Sequence, residues 1–178
     1  MFHFNTERVI GYWSELRRGS SLPARQAFDP AAIAQLLPQI FMLELGRASL
    51  PFRLAGEFLI DLHGRPLKGV DFQDLFSPAG RSMAARAIDS VLNEPEPVVL
   101  EAEGFSVDGR SVNLEILLAP LAGADGRVER LLGLYQPTTL VARLAGQPVV
   151  ELDARLAMHA TARGAHLKLA AVDGLRIA

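Results

Sequence analysis

Cysteine is absent from the 178-residue sequence. The chain therefore forms no disulfide bonds, thiolate zinc sites or iron–sulfur clusters, and it has no cysteine nucleophile. Because stabilising disulfides are typical of secreted domains, a cytoplasmic location is the simplest interpretation of this composition.

Long apolar runs and an excess of charge are also missing. The longest apolar stretches are far shorter than the roughly 20 residues that span a bilayer, so we expect no membrane span. The first residues, MFHFNTERVIGYW, lack the basic and apolar regions of a signal peptide. A net charge of −2 gives no reason to expect binding to nucleic acid or an anionic membrane. The 49% hydrophobic content is typical of a globular domain with a real core.

Three amphipathic segments in the first half predict helices. The first spans Asn5 to Arg18, with apolar residues at helical spacing. The second follows Asp29, which can cap it, and ends at Pro38. The third begins at Pro78, because proline is well tolerated in the first turn of a helix.

Five strand-like runs complete the pattern. IFMLELG and FRLAG flank a turn-like RASLP and predict a hairpin. PVVLEAEGFSV, SVNLEILLAPLA and RLLGLYQP are separated by Asp-Gly turns, which favour antiparallel hairpins. Two strands, a helical crossover and three strands predict an α+β fold. We assign 1–38 to an N-terminal helical extension, 39–137 to the core and 138–178 to a C-terminal extension, interpreted as an added strand or an arm.

The stretch FRLAGEFLIDLHGRPLKGVDFQDLF, residues 52–76, predicts the wall of a small pocket. It is not a phosphate-binding loop, because GRPLKG lacks the G-K-[ST] ending and its proline removes an amide donor. Gly56 is expected to let the chain leave a strand abruptly, and Gly64 to end a short helix in a left-handed conformation. The pocket candidates are Phe52, Leu54, Phe58, Leu62, His63, Phe72, Phe76 and Phe105. Ordinary core packing is the alternative for the aromatic members.

The sequence contains no recognisable catalytic or metal-binding motif. None of the four histidines stands in the i, i+4 pair of a zincin, and there is no G-x-S-x-G motif. Glu101, Glu103 and Glu115 alternate with apolar residues, which is typical of a solvated strand face. We therefore expect no catalytic residue, no metal site and no enzyme. Two titratable side chains that meet in the pocket with perturbed pKa values would instead favour an enzyme.

The first helix carries an apolar stripe that must be buried somewhere. Val9, Trp13 and Leu16 are the candidates. They either pack on their own domain or on the same helix of a second chain, as in a two-fold dimer. We favour the homodimer.

The order of elements resembles a PAS domain. The phrase WSELRRGSSLPARQAFDPAAIAQLLPQIFMLEL, followed by FRLAGEFLIDLHGRPLKGVDFQDLF, resembles a bacterial PAS-like family common in alphaproteobacteria and once catalogued as a domain of unknown function. The resemblance extends from about Trp13 to Gln136. It implies a five-stranded antiparallel sheet with helices on one face. Such domains sense small ligands or act through dimers and partner proteins, and the resemblance supplies no catalytic residues and identifies no cofactor.

These observations predict a stand-alone sensory or regulatory protein that binds a small ligand, a signalling partner, or both. A ligand-free dimerisation or interaction module is the first alternative, and a small-molecule enzyme or carrier that uses the same cavity is the second. A core packed at interior density would favour the interaction module.

Overall fold

The α+β class is confirmed by the computed structural model, which describes residues 1–17, 19 and 22–160. The helices are α1 (Phe4–Arg17), α2 (Glu57–His63) and α3 (Pro78–Asn93), with 3-10 helices at Arg25–Ala27, Pro30–Gln39, Phe72–Leu75 and Val141–Leu144. The strands are β1 (Ile40–Glu44), β2 (Phe52–Ala55), β3 (Val98–Ser106), β4 (Ser111–Ala122), β5 (Val128–Pro137) and β6 (Val149–His159). They form one antiparallel sheet in the order β2-β1-β5-β4-β3-β6.

Local sequence signals place most of the turns correctly. β1 and β2 form the predicted hairpin. Gly109 and Gly126, in the two Asp-Gly turns, have φ angles of 79° and 78°. Gly64 ends α2 with a φ of 62°, as predicted for a left-handed helix end.

The second predicted helix forms as a 3-10 helix. The Asp29 side chain caps it by accepting a hydrogen bond from the Ala31 amide at 3.0 Å. Inside the segment, Ile33 has a φ of −125°, and Pro38 has no amide hydrogen to donate. These two interruptions explain why the segment does not continue as an α-helix.

Helices lie on both faces of the sheet. On one face, α2, α3 and the Phe72–Leu75 segment enclose the larger core, which includes Leu59 and Val91. On the other, α1 and the Pro30–Gln39 segment pack their apolar side chains against β4 and β5. The expectation of helices on one face therefore holds for the central helices, and the N-terminal extension covers the opposite face.

Among the described residues the sheet has six strands, one more than expected. The additional strand, β6, comes from the C-terminal extension and pairs along nearly all of β3. Leu152 and Ala154 of β6 are buried in the larger core, so this part of the extension belongs to the same packed unit. The rest of the predicted extension, 161–178, lies outside the described residues.

β4 is buried on both faces. Every residue from Leu114 to Ala122 is buried, and the strand pairs with β3 on one side and β5 on the other. This accounts for the nearly continuous apolar sequence LEILLAPLA, because a strand covered on both faces does not alternate with polar residues. Within residues 1–17, 19 and 22–160, no helix is both long and apolar enough to cross a membrane.

Candidate ligand-binding site

Aromatic rings fill much of the space between the central helices and the sheet. Phe41 of β1 contacts Phe52 of β2 and Tyr135 of β5, with ring centroids 5.5 Å apart in each case. Phe41 also stacks on Phe72 at 5.9 Å, and Phe72 meets Phe76 edge-on at 5.1 Å. Rings at these separations are in direct contact. The helix–sheet interior is thus lined by a continuous aromatic cluster.

His63 brings a polar group into this interior. It is the last residue of α2 and is only 6% exposed. Its Nδ1 lies 3.0 Å from the carbonyl oxygen of Val149, at the start of β6. Its Nε2 is buried without a hydrogen-bond partner among the described residues. Burial lowers the pKa of His63 to about 4 against its ordinary 6.5, and the Val149 hydrogen bond only partly offsets this effect.

Tyr135 supplies a second buried polar group next to His63. The two rings meet edge-on, with centroids 5.9 Å apart and an angle of 70° between their planes. Tyr135 is fully buried, and its hydroxyl has no partner in the described part of the chain. Burial raises the pKa of Tyr135 far above its ordinary value of 10. Two unpaired polar atoms are therefore carried by neighbouring rings in an otherwise apolar interior.

Two titratable side chains with shifted pKa values do meet in this interior, which is the condition given above as favouring an enzyme. Both shifts come chiefly from loss of water, and both favour the neutral form of the side chain. A general acid or base works best when its pKa lies near the working pH. His63 is a weak base and Tyr135 a weak acid, so the pair is better suited to hydrogen bonding than to proton transfer.

Most predicted pocket residues do lie together. Phe52, Leu62, Phe72 and Phe76 belong to the buried core on this face, and Phe58 is half-buried against it. His63 is buried beside them.

Leu54 does not face this interior. It is 53% exposed. A β-bulge between the pairs Leu43–Phe52 and Met42–Leu54 adds one residue to β2, which turns Leu54 to the same side as Met42. A shift of one residue moves a side chain to the opposite face of a sheet. The prediction that Leu54 lines the pocket is therefore wrong.

Phe105 also lies on the other side of the sheet. Position 104, its neighbour, faces the interior, because a Cβ added to Gly104 would touch Val149 and Leu152. Successive residues of a strand face opposite sides, so Phe105 shares the outer face of β3 with Glu103. It is half-buried and is not part of the aromatic cluster.

Two of the predicted interface residues on α1 pack inside the chain. Val9 and Trp13 are 0% and 1% exposed, and the Trp13 indole donates a hydrogen bond to the Pro120 carbonyl at 2.7 Å. Leu16 is half-buried. Val9 and Trp13 therefore belong to the second core of the protomer, and in this arrangement they are not available to a second chain.

A polar groove of about 310 Å³ lies on the outer face of the sheet. It is lined by side chains of Glu101, Glu103, Asn113, Glu115, Thr138 and Arg155, among others. Arg155 pairs with Glu103, and both carboxylate oxygens of Glu115 accept hydrogen bonds from the His3 amide at 2.9 and 3.0 Å. Glu115 is only 8% exposed, which corrects its assignment to a solvated face. No group of three or more histidine or acidic side chains within the described ranges could hold a metal ion.

Phe41, Tyr135 and Val149 were not predicted as site residues from the sequence. A usable signal was present in β5, where Gly133 interrupts the apolar strand LLGLY. A glycine inside a strand often marks the close approach of another group. Here the ring of Phe41 occupies the position that a side chain at Gly133 would need.

The structure is thus an antiparallel sheet whose central helices enclose a buried, mostly apolar interior. A family model described as a PAS domain matches residues 1–136, and the chain belongs to this family. PAS domains are generally sensory or regulatory domains. No curated protein matches the sequence.

Several solved light-oxygen-voltage domains are similar in fold. One studied with a flavin analogue has a TM-score of 0.52 at 17% identity, covering 65% of this chain and 87% of that one. The dark structure of the Aureochrome1 domain has a TM-score of 0.51 at 14% identity, covering 65% and 86%. The Rhodobacter sphaeroides protein has a TM-score of 0.50 at 12% identity, covering 66% and 72%. At these identities the likeness concerns the fold alone.

The aromatic cluster does not fit a flavin. The rings of Phe41, Phe52, Phe72 and Phe76 are in direct contact with one another across the interior. A three-ring cofactor has no place among them in this arrangement.

Proposed function

We propose that the protein is a PAS-type sensory or regulatory protein that binds a small ligand between its central helices and the sheet and acts through a protein partner. The observation that carries this proposal is the His63–Tyr135 pair, whose Nε2 and hydroxyl are buried without partners. An unpaired polar group in an apolar interior costs roughly 1–3 kcal/mol, so a ligand that satisfies both groups would be favoured.

β6 is suited to transmit a ligand-induced movement in this interior, because it is hydrogen-bonded to the elements around it. Its first residue, Val149, accepts the hydrogen bond from His63. Further along, Leu152 accepts one from the Ser77 amide at 2.8 Å, and His159 contacts Ser90 of α3 at 2.6 Å. A shift of α2 on ligand binding would therefore reach β6 directly.

A homodimer in the bacterial cytoplasm is part of the same proposal. Since Val9 and Trp13 are interior residues, the contact would use other side chains. Phe4 on α1 is 72% exposed and is the apolar residue of that helix best placed to meet a partner.

The second candidate is a ligand-free interaction module. The contacts among Phe41, Phe52 and Phe72 favour it, because a filled interior leaves little room for a ligand.

Native mass spectrometry of freshly purified protein, beside a denatured sample, separates these candidates. Extra mass that disappears on denaturation supports ligand sensing, and a dimer mass without added mass supports the interaction module. A monomer that carries no small molecule and captures no partner in pull-downs would contradict the proposed function.

A further inference from the structure

The polar groove opens on the outer face of β3 and β6, beside the area that α1 covers. α1 packs on β4 and β5. Glu101 of β3 and Arg155 of β6 line the groove, and both side chains are exposed. Leu156 is half-buried and faces the same side, because it is paired directly with Glu101. Within residues 1–17, 19 and 22–160, this part of the sheet therefore lacks a covering layer.

Negative charge is in excess on this face. Glu101, Glu103 and Glu115 line the groove, and Arg155 already pairs with Glu103. Glu101 has no hydrogen bond or ion pair in the described part of the chain. Glu115 stands directly opposite Glu101, is only 8% exposed, and accepts hydrogen bonds from the His3 amide alone. Like charges directly opposite one another destabilise a sheet, so a cationic group bound between these two carboxylates would be favoured.

β6 leads the chain onto the same face. Ala160, which follows β6, is 5% exposed and packs in the second core together with Val99 and Trp13. Its amide donates a hydrogen bond to the Pro97 carbonyl at 2.8 Å. The next residues therefore begin on the outer side of the sheet, about 13 Å along the strand from Leu156. Residues 161–178 are long enough to turn back to the groove, since even a helix of this length spans about 27 Å.

The sequence of residues 161–178 is complementary to this face in charge and in apolar content. Its charged side chains are three cations and one acid, namely Arg163, Lys168, Arg176 and Asp173. Leu167 and Leu169 flank Lys168. Half-buried Leu156 offers apolar surface to such leucines, next to the carboxylates. Gly164 gives the backbone freedom to reverse direction before this stretch.

We propose that the groove is the binding site of the chain's own residues 161–178. Their cations pair with Glu101 and Glu115, and their leucines cover Leu156. The inference goes beyond the proposed function, because it requires no ligand between the helices and the sheet. It assigns an occupant to the exposed outer face of β3 and β6.

The absence of cysteine allows a direct test in the full chain. Ala170→Cys supplies a single thiol for a nitroxide spin label, which broadens the NMR signals of nearby amides. We expect the strongest broadening at Glu101 and Leu156, and little at Asp89 of α3, which packs on the opposite face of the sheet. Salt at about 1 M shortens the screening length to about 3 Å and should reduce the broadening.

Charge variants of exposed residues provide the matched control. Glu101→Lys should lower the equilibrium constant for binding of the segment about two- to fivefold, the range expected for an exposed ion pair. Lys168→Glu in the same chain should restore part of the loss. Asp89→Lys makes the same change of charge on an exposed site of α3 and should leave the broadening unchanged. The ¹H–¹⁵N spectrum of each variant checks that it is folded.

Three results would overturn the inference. Broadening confined to the neighbours of Ala160, or spread evenly over the surface, would show that the segment does not bind the groove. Equal effects of Glu101→Lys and Asp89→Lys would remove the carboxylates from its recognition. In a mixture of unlabelled ¹⁵N chains with an excess of spin-labelled ¹⁴N chains, full broadening of the groove in the ¹⁵N chains would assign the occupant to a second copy. Each result leaves the proposed ligand sensing to its own test by native mass spectrometry.

Discussion

The ring of Phe41 lies against the backbone of Gly133, in the space that a side chain at position 133 would occupy. The two residues are paired across β1 and β5. This close approach lets one phenylalanine contact Phe52, Phe72 and Tyr135 at once. The packing of the aromatic interior therefore requires a glycine at position 133 in the neighbouring strand.

Gly133→Ala should destabilise the protein for this reason. The added methyl group would overlap the Phe41 ring, and overpacking of a core typically costs about 1–3 kcal/mol. Urea unfolding measures the change. Gly11→Ala is the control, because nothing lies within 4 Å of a Cβ at this helical position, and it should add up to about 1 kcal/mol of stability. Equal effects of the two variants would contradict the packing described for Phe41.

Trp13→Phe should lower stability without changing the subunit mass. The variant loses the hydrogen bond from the indole to the buried Pro120 carbonyl, and leaving such a group unpaired costs about 1–3 kcal/mol. Circular dichroism during urea unfolding and sedimentation of the folded protein report the two quantities. A change of oligomeric state at wild-type stability would instead assign Trp13 to an interface between chains.

Acid should destabilise the protein through His63. Its pKa is about 4 when folded and near 6.5 when unfolded, so between these values the unfolded chain binds a proton that the folded chain does not. The free energy of unfolding should thus fall as the pH drops from about 6.5 towards 4, by up to about 3 kcal/mol, and His63 should have no effect above about pH 7.5. The groups around the imidazole are the Tyr135 ring and the Arg65 cation, which also disfavours protonation.

His63→Gln isolates this effect from the acidic residues of the protein. Urea unfolding of both proteins across pH 4 to 8, roughly the range in which histidine titrates, gives two curves, and their difference belongs to His63. Curves that remain parallel over the whole range would show that His63 is not buried in its neutral form.

Leu152→Ala tests whether β6 is part of the core. Leu152 is fully buried, so its truncation should cost about 2–5 kcal/mol. Val150 of the same strand is 53% exposed, and Val150→Ala should change stability by no more than about 0.5 kcal/mol. Denaturant midpoints of the two variants give the comparison. A small effect of both would mean that the predicted boundary at residue 137 separates an independent core from its extension.

Local signals in the sequence were enough for most elements. Asp-Gly pairs and Gly64 mark real turns, because a positive φ angle strongly favours glycine. Gly56 is needed for a different reason than predicted. Its φ of −68° is ordinary, but a Cβ there would overlap the carbonyl oxygens of Leu37 and Pro38. Such an approach between distant segments has no local signature.

The site itself was predicted only in part. His63 was identified from its position in the pocket stretch, whereas its neighbour Tyr135 lies 72 residues further on and is brought there by the pairing of β1 with β5. Leu54 was assigned to the wrong face because a bulge changes the alternation of β2. β6 was uncertain because the extension lacks a strong pattern, and its burial depends on docking against β3 and α3.

The double coverage of β4 has a consequence for measuring the protein. The amides of Leu114 to Leu118 lie in a buried part of β4 that pairs with β3 on one side and β5 on the other, and side chains shield it on both faces. Opening of a helix on one side leaves them protected from solvent, so their hydrogens should exchange with deuterium only when the whole sheet unfolds. The exchange rate of this one strand thus reports the global stability, against which looser motions of α1 or α2 can be measured.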